Sequence, residues 1–148
     1  MPQTPHTSAE RFSAALHATA RSWRLALDAR LKDLGIGQAG WMTIAMIAKA
    51  DEPPSQRVLA DLLGIEGPSV VSMLDRLERD GLVRRAPCPL DRRVKLAHLT
   101  DDGRALYARV RKEADAFRHA MLDGVPEETL SAAVALLEQL RTRIEGAE

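Results

Sequence analysis

Cys88 is the only cysteine among the 148 residues. A disulfide framework and a cysteine-based zinc site are therefore excluded within one chain. Aromatic side chains are scarce as well, 3% against 45% hydrophobic residues in all. Leu, Ala, Val and Ile must fill the interior, which suits closely packed helices. Charge of one sign is missing too: Lys plus Arg and Asp plus Glu both number 21. That balance argues against a wholly basic coat for nucleic acid, though a local basic edge remains compatible with it. No apolar run approaches the roughly 18 residues of a membrane-spanning helix. The opening stretch, Met1 to Ser8, has neither a basic leader nor an apolar core, so it reads as a short polar arm and not a signal peptide. The expected setting is cytoplasmic and reducing, away from membranes.

Catalytic constellations are absent as motifs. His6, His17, His98 and His119 are scattered, and no Ser-His-acid order, HExxH or phosphate-cradling glycine pattern occurs. Asp101-Asp102 and Glu127-Glu128 stand at helix starts, where the macrodipole favours acids without any catalytic role. The expectation is a protein that is not an enzyme and needs no cofactor or metal.

What the chain does contain is a regular alternation of helices and punctuation. Phe12, Leu16, Thr19, Trp23, Leu27 and Leu31 recur at three- and four-residue spacing, predicting a helix over Ser8–Lys32. Gly35 and Gly37 end it. A second helix is expected over Gln38–Ala50, stopped by Asp51-Glu52-Pro53-Pro54 because proline removes a backbone donor. Ser55 suits the N-cap of a short helix, Gln56–Leu63, and Gly64 suits its left-handed end. Ile65-Glu66-Gly67 makes a turn and Pro68 opens a helix to Arg79, with Val70, Val71, Leu74 and Leu77 on its inner face. Leu82–Arg85 and Val94–Leu99 read as strands of a hairpin, joined by a loop with two prolines and a charged tip. Thr100 then caps a helix over Asp101–Leu122, with Leu106, Val110, Ala114, Phe117 and Met121 inward. Pro126 opens a last helix to Ile144, carrying Leu130, Val134, Leu137, Leu140 and Ile144 on one face.

The long apolar stripes of the first, fifth and sixth helices have two readings. They pack on their own domain, or they interleave with a second copy of the chain, the second leaving less apolar surface in water. The segment Leu59–Arg93 holds the chemistry. Ala60 lets two short helices approach and Ile65 plugs the space between them. Pro68, Ser69, Ser72, Met73 and Arg76 are left looking outward. Small hydroxyls, a methionine and an arginine fit a major groove about 12 Å wide, although a solvated helix face has the same composition. The hairpin shifts that balance. Between Gly81 and Ala97, Arg84, Arg85, Arg92, Arg93 and Lys95 face only Asp91, a local basic footprint in a neutral chain. Arginines on a protruding loop can enter a narrow minor groove. Asp91, two residues before Arg93, is expected to brace an arginine by a bidentate pair. The competing reading is a winged-helix module that binds another protein, which should tolerate loss of Arg92 and Arg93.

The segments Leu59-Ala60-Asp61-Leu62-Leu63-Gly64-Ile65, Pro68-Ser69-Val70-Val71, Leu74 to Val83, Asp91-Arg92-Arg93 and Leu99-Thr100-Asp101-Asp102-Gly103 resemble the MarR family of winged helix-turn-helix regulators. Within it, Arg21-Ser22-Trp23-Arg24 and Gln38-Ala39-Gly40-Trp41 are most similar to the SlyA type. The resemblance implies a mainly α fold with a small β-hairpin wing, as one domain over residues 1–148. A winged helix-turn-helix head would occupy residues 38–99, and dimerisation helices residues 8–34 and 101–146. It implies a homodimer on a pseudo-palindromic operator in double-stranded DNA, probing the major groove with a recognition helix and the minor groove with Arg93, and acting as a repressor. The DNA-binding set it implies is Ser55, Pro68, Ser69, Val70, Ser72, Met73, Arg76, Asp91, Arg92, Arg93 and Lys95. An aromatic or phenolic carboxylate effector is implied as well, for which Arg21, Trp23, Arg24 and Trp41 have suitable chemistry, arginine pairing with carboxylate and tryptophan stacking on a ring. Both tryptophans equally suit helix-core positions. The cysteine that the family's peroxide-sensing branch carries in its first helix has no counterpart here, and Cys88 on the wing is not expected to sense redox state.

Overall fold

Local signals in the chain account for most element boundaries in the computed structural model, which describes residues 7–147. Helix α1 spans Ser8–Leu31 and is opened by a capping box in which Thr7 and Glu10 exchange bonds: the Glu10 amide donates to Thr7 Oγ1 at 3.2 Å and the Thr7 amide to Glu10 Oε2 at 2.7 Å. A single 3-10 turn, Lys32–Leu34, follows. Helices α2 (Gln38–Lys49), α3 (Gln56–Leu63) and α4 (Gly67–Arg79) come next, then strands β1 (Val83–Pro87) and β2 (Lys95–Leu99), then α5 (Asp101–Leu122) and α6 (Glu127–Glu145). Most of the polar arm expected at the N-terminus, residues 1–6, lies outside the described residues, as does residue 148.

Ser55 caps α3, accepting from the Val58 amide at 3.2 Å, and Gly64 closes it at φ 64°. That left-handed angle is where glycine carries no steric penalty. Pro68 sits in the first turn of α4, where its missing N–H costs no helical bond. The strands pair antiparallel with Val83 opposite Leu99 and Arg85 opposite Ala97. Each strand starts one residue later than expected; β2 ends at Leu99 as expected, whereas β1 runs two residues further because the pairing continues into Pro87 opposite Lys95.

The chain divides into two compact units between Ala114 and Asp115. In the first, Leu31, Thr43, Ile44, Leu59, Val70, Leu74 and Val83 are fully buried. Thr43 satisfies its hydroxyl by donating to the Ala39 carbonyl at 2.6 Å, and no buried side-chain nitrogen or oxygen among the described residues lacks a partner. Such complete satisfaction is what a packed core requires.

The inner face of α4 differs from the expected one. Val70, Met73, Leu74 and Leu77 are buried, whereas Val71 is exposed. The buried residues 70, 73, 74 and 77 stand at i, i+3, i+4 and i+7 on one side of the helix, and Val71 falls at the edge of that side. Met73 therefore leaves the outward-facing candidates, and Val70, inward as its spacing predicts, does not fit the DNA-binding set in which the resemblance placed it. Ile65 is 37% exposed and plugs the turn only in part. On α5, Leu106, Val110, Ala114 and Phe117 are buried as expected but Met121 is exposed. Helix α6 in the second unit buries no residue at all: Val134, Leu137 and Ile144 are open to solvent.

Candidate nucleic-acid interface

With Val70, Met73, Leu74 and Leu77 turned into the core, helical geometry presents Pro68, Ser69, Ser72, Arg76 and Arg79 on the other side of α4. These residues, with the edge of Met73, line a shallow open groove of about 510 Å³. Arg76 is exposed, and its Nη2 donates to the Met73 sulfur at 3.5 Å. Arg79, which sequence reasoning treated only as the end of the helix, belongs to this face. Its signal was present: 69, 72, 76 and 79 follow one another at three- and four-residue steps.

The wing tip is built by local bonds. The Cys88 amide donates to the Val94 carbonyl at 2.8 Å, and the Val94 amide to the Asp91 carbonyl at 2.9 Å, closing a turn over residues 91–94. Within it the Asp91 carboxylate accepts the Arg93 amide at 3.1 Å, an Asx-turn. The same carboxylate takes Arg93 Nε at 3.2 Å and Nη2 at 3.3 Å. The bidentate brace expected from spacing is thus present, and the Arg93 side chain remains 91% exposed. The hydrogen bonds from the Arg93 side chain, then from its amide, hold the Asp91 carboxyl below its ordinary range. Arg92 and Lys95 are exposed beside it, as is Arg84.

Arg85 departs from expectation. It was counted with the basic footprint, yet its guanidinium is turned back onto the head. Nε and Nη2 donate to Glu78 Oε2 at 3.2 and 2.8 Å, Nη1 donates to Gln56 Oε1 at 3.1 Å, and Nη2 also pairs with Asp75. Its amide donates to Glu78 Oε1 at 2.9 Å. These bonds, the amide's first, keep Glu78 more acidic than usual, and Glu78 in turn makes the Arg85 guanidinium more basic. Periodicity carries no trace of this network, because Gln56, Asp75, Glu78 and Arg85 lie on three different elements.

Ser55 is half-buried, with its Oγ engaged as the α3 cap and its backbone bridged to Leu96. Of the four effector candidates, Trp23 and Trp41 are half-buried while Arg21 and Arg24 are exposed. Trp41 on α2 donates Nε1 to Asp28 on α1 at 3.4 Å, which draws α2 to the helix bearing the other three. A cavity of about 820 Å³ lies elsewhere, between the end of α2, β2 and the start of α5. Its walls include Asp51, Arg84, His98, Arg104 and Tyr107 and none of those four. Among the described residues no group of three or more His, Cys, Asp or Glu is placed to hold a metal. No helix among them is long and apolar enough to cross a membrane.

Residues 34–94 match the family model described as the MarR family. The chain is similar to the solved structure of the transcriptional regulator PA3341, with 36% identity, 91% of this chain and 98% of that one covered, and a TM-score of 0.85. It is also similar to Streptococcus pneumoniae FabT, solved in complex with DNA, at 25% identity over 95% of this chain and 100% of that one, with a TM-score of 0.79. CouR from Rhodococcus jostii RHA1, solved bound to p-coumaroyl-CoA, shares the fold at 24% identity and a TM-score of 0.79, with 91% and 94% of the two chains covered.

Proposed function

The chain belongs to the MarR family of winged-helix, DNA-binding transcription regulators, and from that premise we propose that it is a repressor acting as a homodimer on a pseudo-palindromic operator. The observation that carries this reading is the wing tip, where Asp91 holds an almost fully exposed Arg93 in one orientation. An arginine ordered before DNA arrives loses less freedom on entering a narrow minor groove. Ser69, Ser72, Arg76 and Arg79, with Pro68 at the helix start, read or flank the major groove. Arg92 and Lys95 neutralise phosphates, and Asp91 acts through Arg93. The exposed apolar residues of α6 and of the first half of α1, Phe12 and Leu16 among them, support dimerisation. In a dimer the two recognition helices would sit about 34 Å apart, one turn of the duplex.

Within the family the reading follows the SlyA type, on the segments Arg21–Arg24 and Gln38–Trp41. A small aromatic or phenolic carboxylate is proposed to release the DNA through Arg21, Trp23, Arg24 and Trp41. The bond from Trp41 to Asp28 supports that placement, as does the shared fold of CouR, which was solved bound to p-coumaroyl-CoA. Release requires that the ligand favour a head spacing that mismatches successive grooves.

The test is selection of random duplexes on the purified protein, with fluorescence anisotropy on what is retained. Enrichment of a palindrome with half-sites one turn apart, weakened by Arg93→Ala, is expected. Equal weak binding of every duplex by wild type and variant would overturn the reading and favour a protein partner.

A further inference from the structure

Arg85 is the one basic residue of the wing whose guanidinium binds three other residues, and it joins three elements. Through Glu78 and Asp75 it ties β1 to α4, and through Gln56 it ties β1 to the start of α3. Only 18% of its side chain is exposed, against 91% for Arg93. Guanidinium carries five N–H donors in a rigid fork. Three different nitrogens are engaged here, on side-chain oxygens carried by two helices. The other strand is held separately, with the Ala97 amide donating to the Pro54 carbonyl at 2.9 Å and Leu96 bridged to Ser55. Arg85 opposes Ala97 in the ladder, so both strands are pinned to the head at the same level, between the sheet root and the turn that carries Arg93.

We infer that Arg85 is a specificity-determining positioning residue, which clamps the wing to the recognition helix so that Arg93 and the Ser69–Arg76 face engage DNA in one fixed register. This rests on the DNA-reading function proposed above. A two-part reader whose parts are rigidly joined discriminates by geometry, because a wrong site cannot satisfy both grooves together. With a loose joint each part finds its own best contact, and specific binding falls towards the non-specific level while phosphate contacts survive.

Two other roles for Arg85 make different predictions. A phosphate contact would lower the salt slope by about one when removed, and Glu78→Gln would then strengthen binding by freeing the arginine. A purely structural bond would change stability and leave discrimination intact in the folded variant. The experiment compares wild type, Arg85→Lys, which keeps the charge but loses the fork, and Glu78→Gln. Each is measured at a temperature where circular dichroism shows it folded, on the selected operator and on a scrambled duplex over a salt series. Expected is a tenfold or greater loss of the operator-to-scrambled ratio in both variants, with scrambled-duplex affinity and salt slope unchanged. Arg93→Ala should also cost less in the Arg85→Lys background than alone, the non-additivity of coupled sites. A nitroxide on Cys88, the lone cysteine, reports the wing without DNA and should show faster motion in both variants. An unchanged ratio, or tighter binding by Glu78→Gln, overturns the clamp while leaving the DNA-reading function standing. A wild type that does not distinguish the two duplexes overturns both.

Discussion

Arg93 Nε and Nη2 grip the two oxygens of Asp91, two residues away, while the arginine side chain stays 91% exposed. An exposed pair of this kind contributes little to stability. Its effect is on orientation. Arg93→Ala is expected to weaken operator binding by about tenfold or more and to reduce the slope of log affinity against log salt by about one if the guanidinium also meets a phosphate. Asp91→Asn should cost less than Arg93→Ala, since the amide still accepts the Arg93 N–H of the Asx-turn. Anisotropy titrations at several salt concentrations measure both.

The carboxyl of Asp91 is held below its ordinary value of 3.8 by the Arg93 side chain and amide. A depressed native value means that the brace is present above the unfolded-state value and is lost as pH falls through the native one. The wing tip should therefore stay ordered across the neutral range and loosen only in acid. An NMR titration of the Asp91 carboxyl checks this: Arg93→Ala should raise its midpoint towards 3.8, and no change would remove the pair as the cause.

Gly103 lies in the first turn of α5, where an added Cβ would stand 2.0 Å from the Leu82 carbonyl oxygen. Backbone cannot yield as a side-chain end would, so Gly103→Ala should destabilise by about 3 kcal/mol. A urea midpoint within error of wild type would contradict the packing of Leu82, the residue before β1, against that turn.

The adjacent valines of α4 offer an internal control. Val70 is fully buried and Val71 is exposed. Val70→Ala should cost about 2 kcal/mol through the lost methyls and the cavity, and Val71→Ala within about 0.5 kcal/mol. Chemical denaturation of the two variants side by side gives the difference, and equal costs would place the helix in another rotation.

Ser55 separates capping from DNA contact. Ser55→Ala should lower stability by about 1 kcal/mol through loss of the α3 cap and leave the operator affinity of the folded protein within about twofold. A larger loss of affinity would return Ser55 to the interface.

The exposed stripe of α6 predicts association. Wild type should sediment as twice its 16.3 kDa, and Leu137→Glu, which puts a charge into that stripe, should shift the protein towards monomer. Unchanged sedimentation would move the interface elsewhere.

The sequence alone determined where the helices and the hairpin lie, because their signals are local: hydrophobic spacing of three and four, caps such as Ser55, and breaks at Gly64 and Pro53-Pro54. It determined the Asp91–Arg93 brace for the same reason, since two residues of chain suffice to set that geometry. It also carried the family likeness. The direction of individual side chains was a different matter. Val70 and Val71 look alike in a list of apolar residues, and only the packed rotation of α4 turned one inward and the other out. The charge of Arg85 likewise counted as free until three distant partners on α3 and α4 claimed it. Those assignments depend on which acceptors long-range folding brings within about 3 Å of a donor. Spacing along the chain holds no record of that.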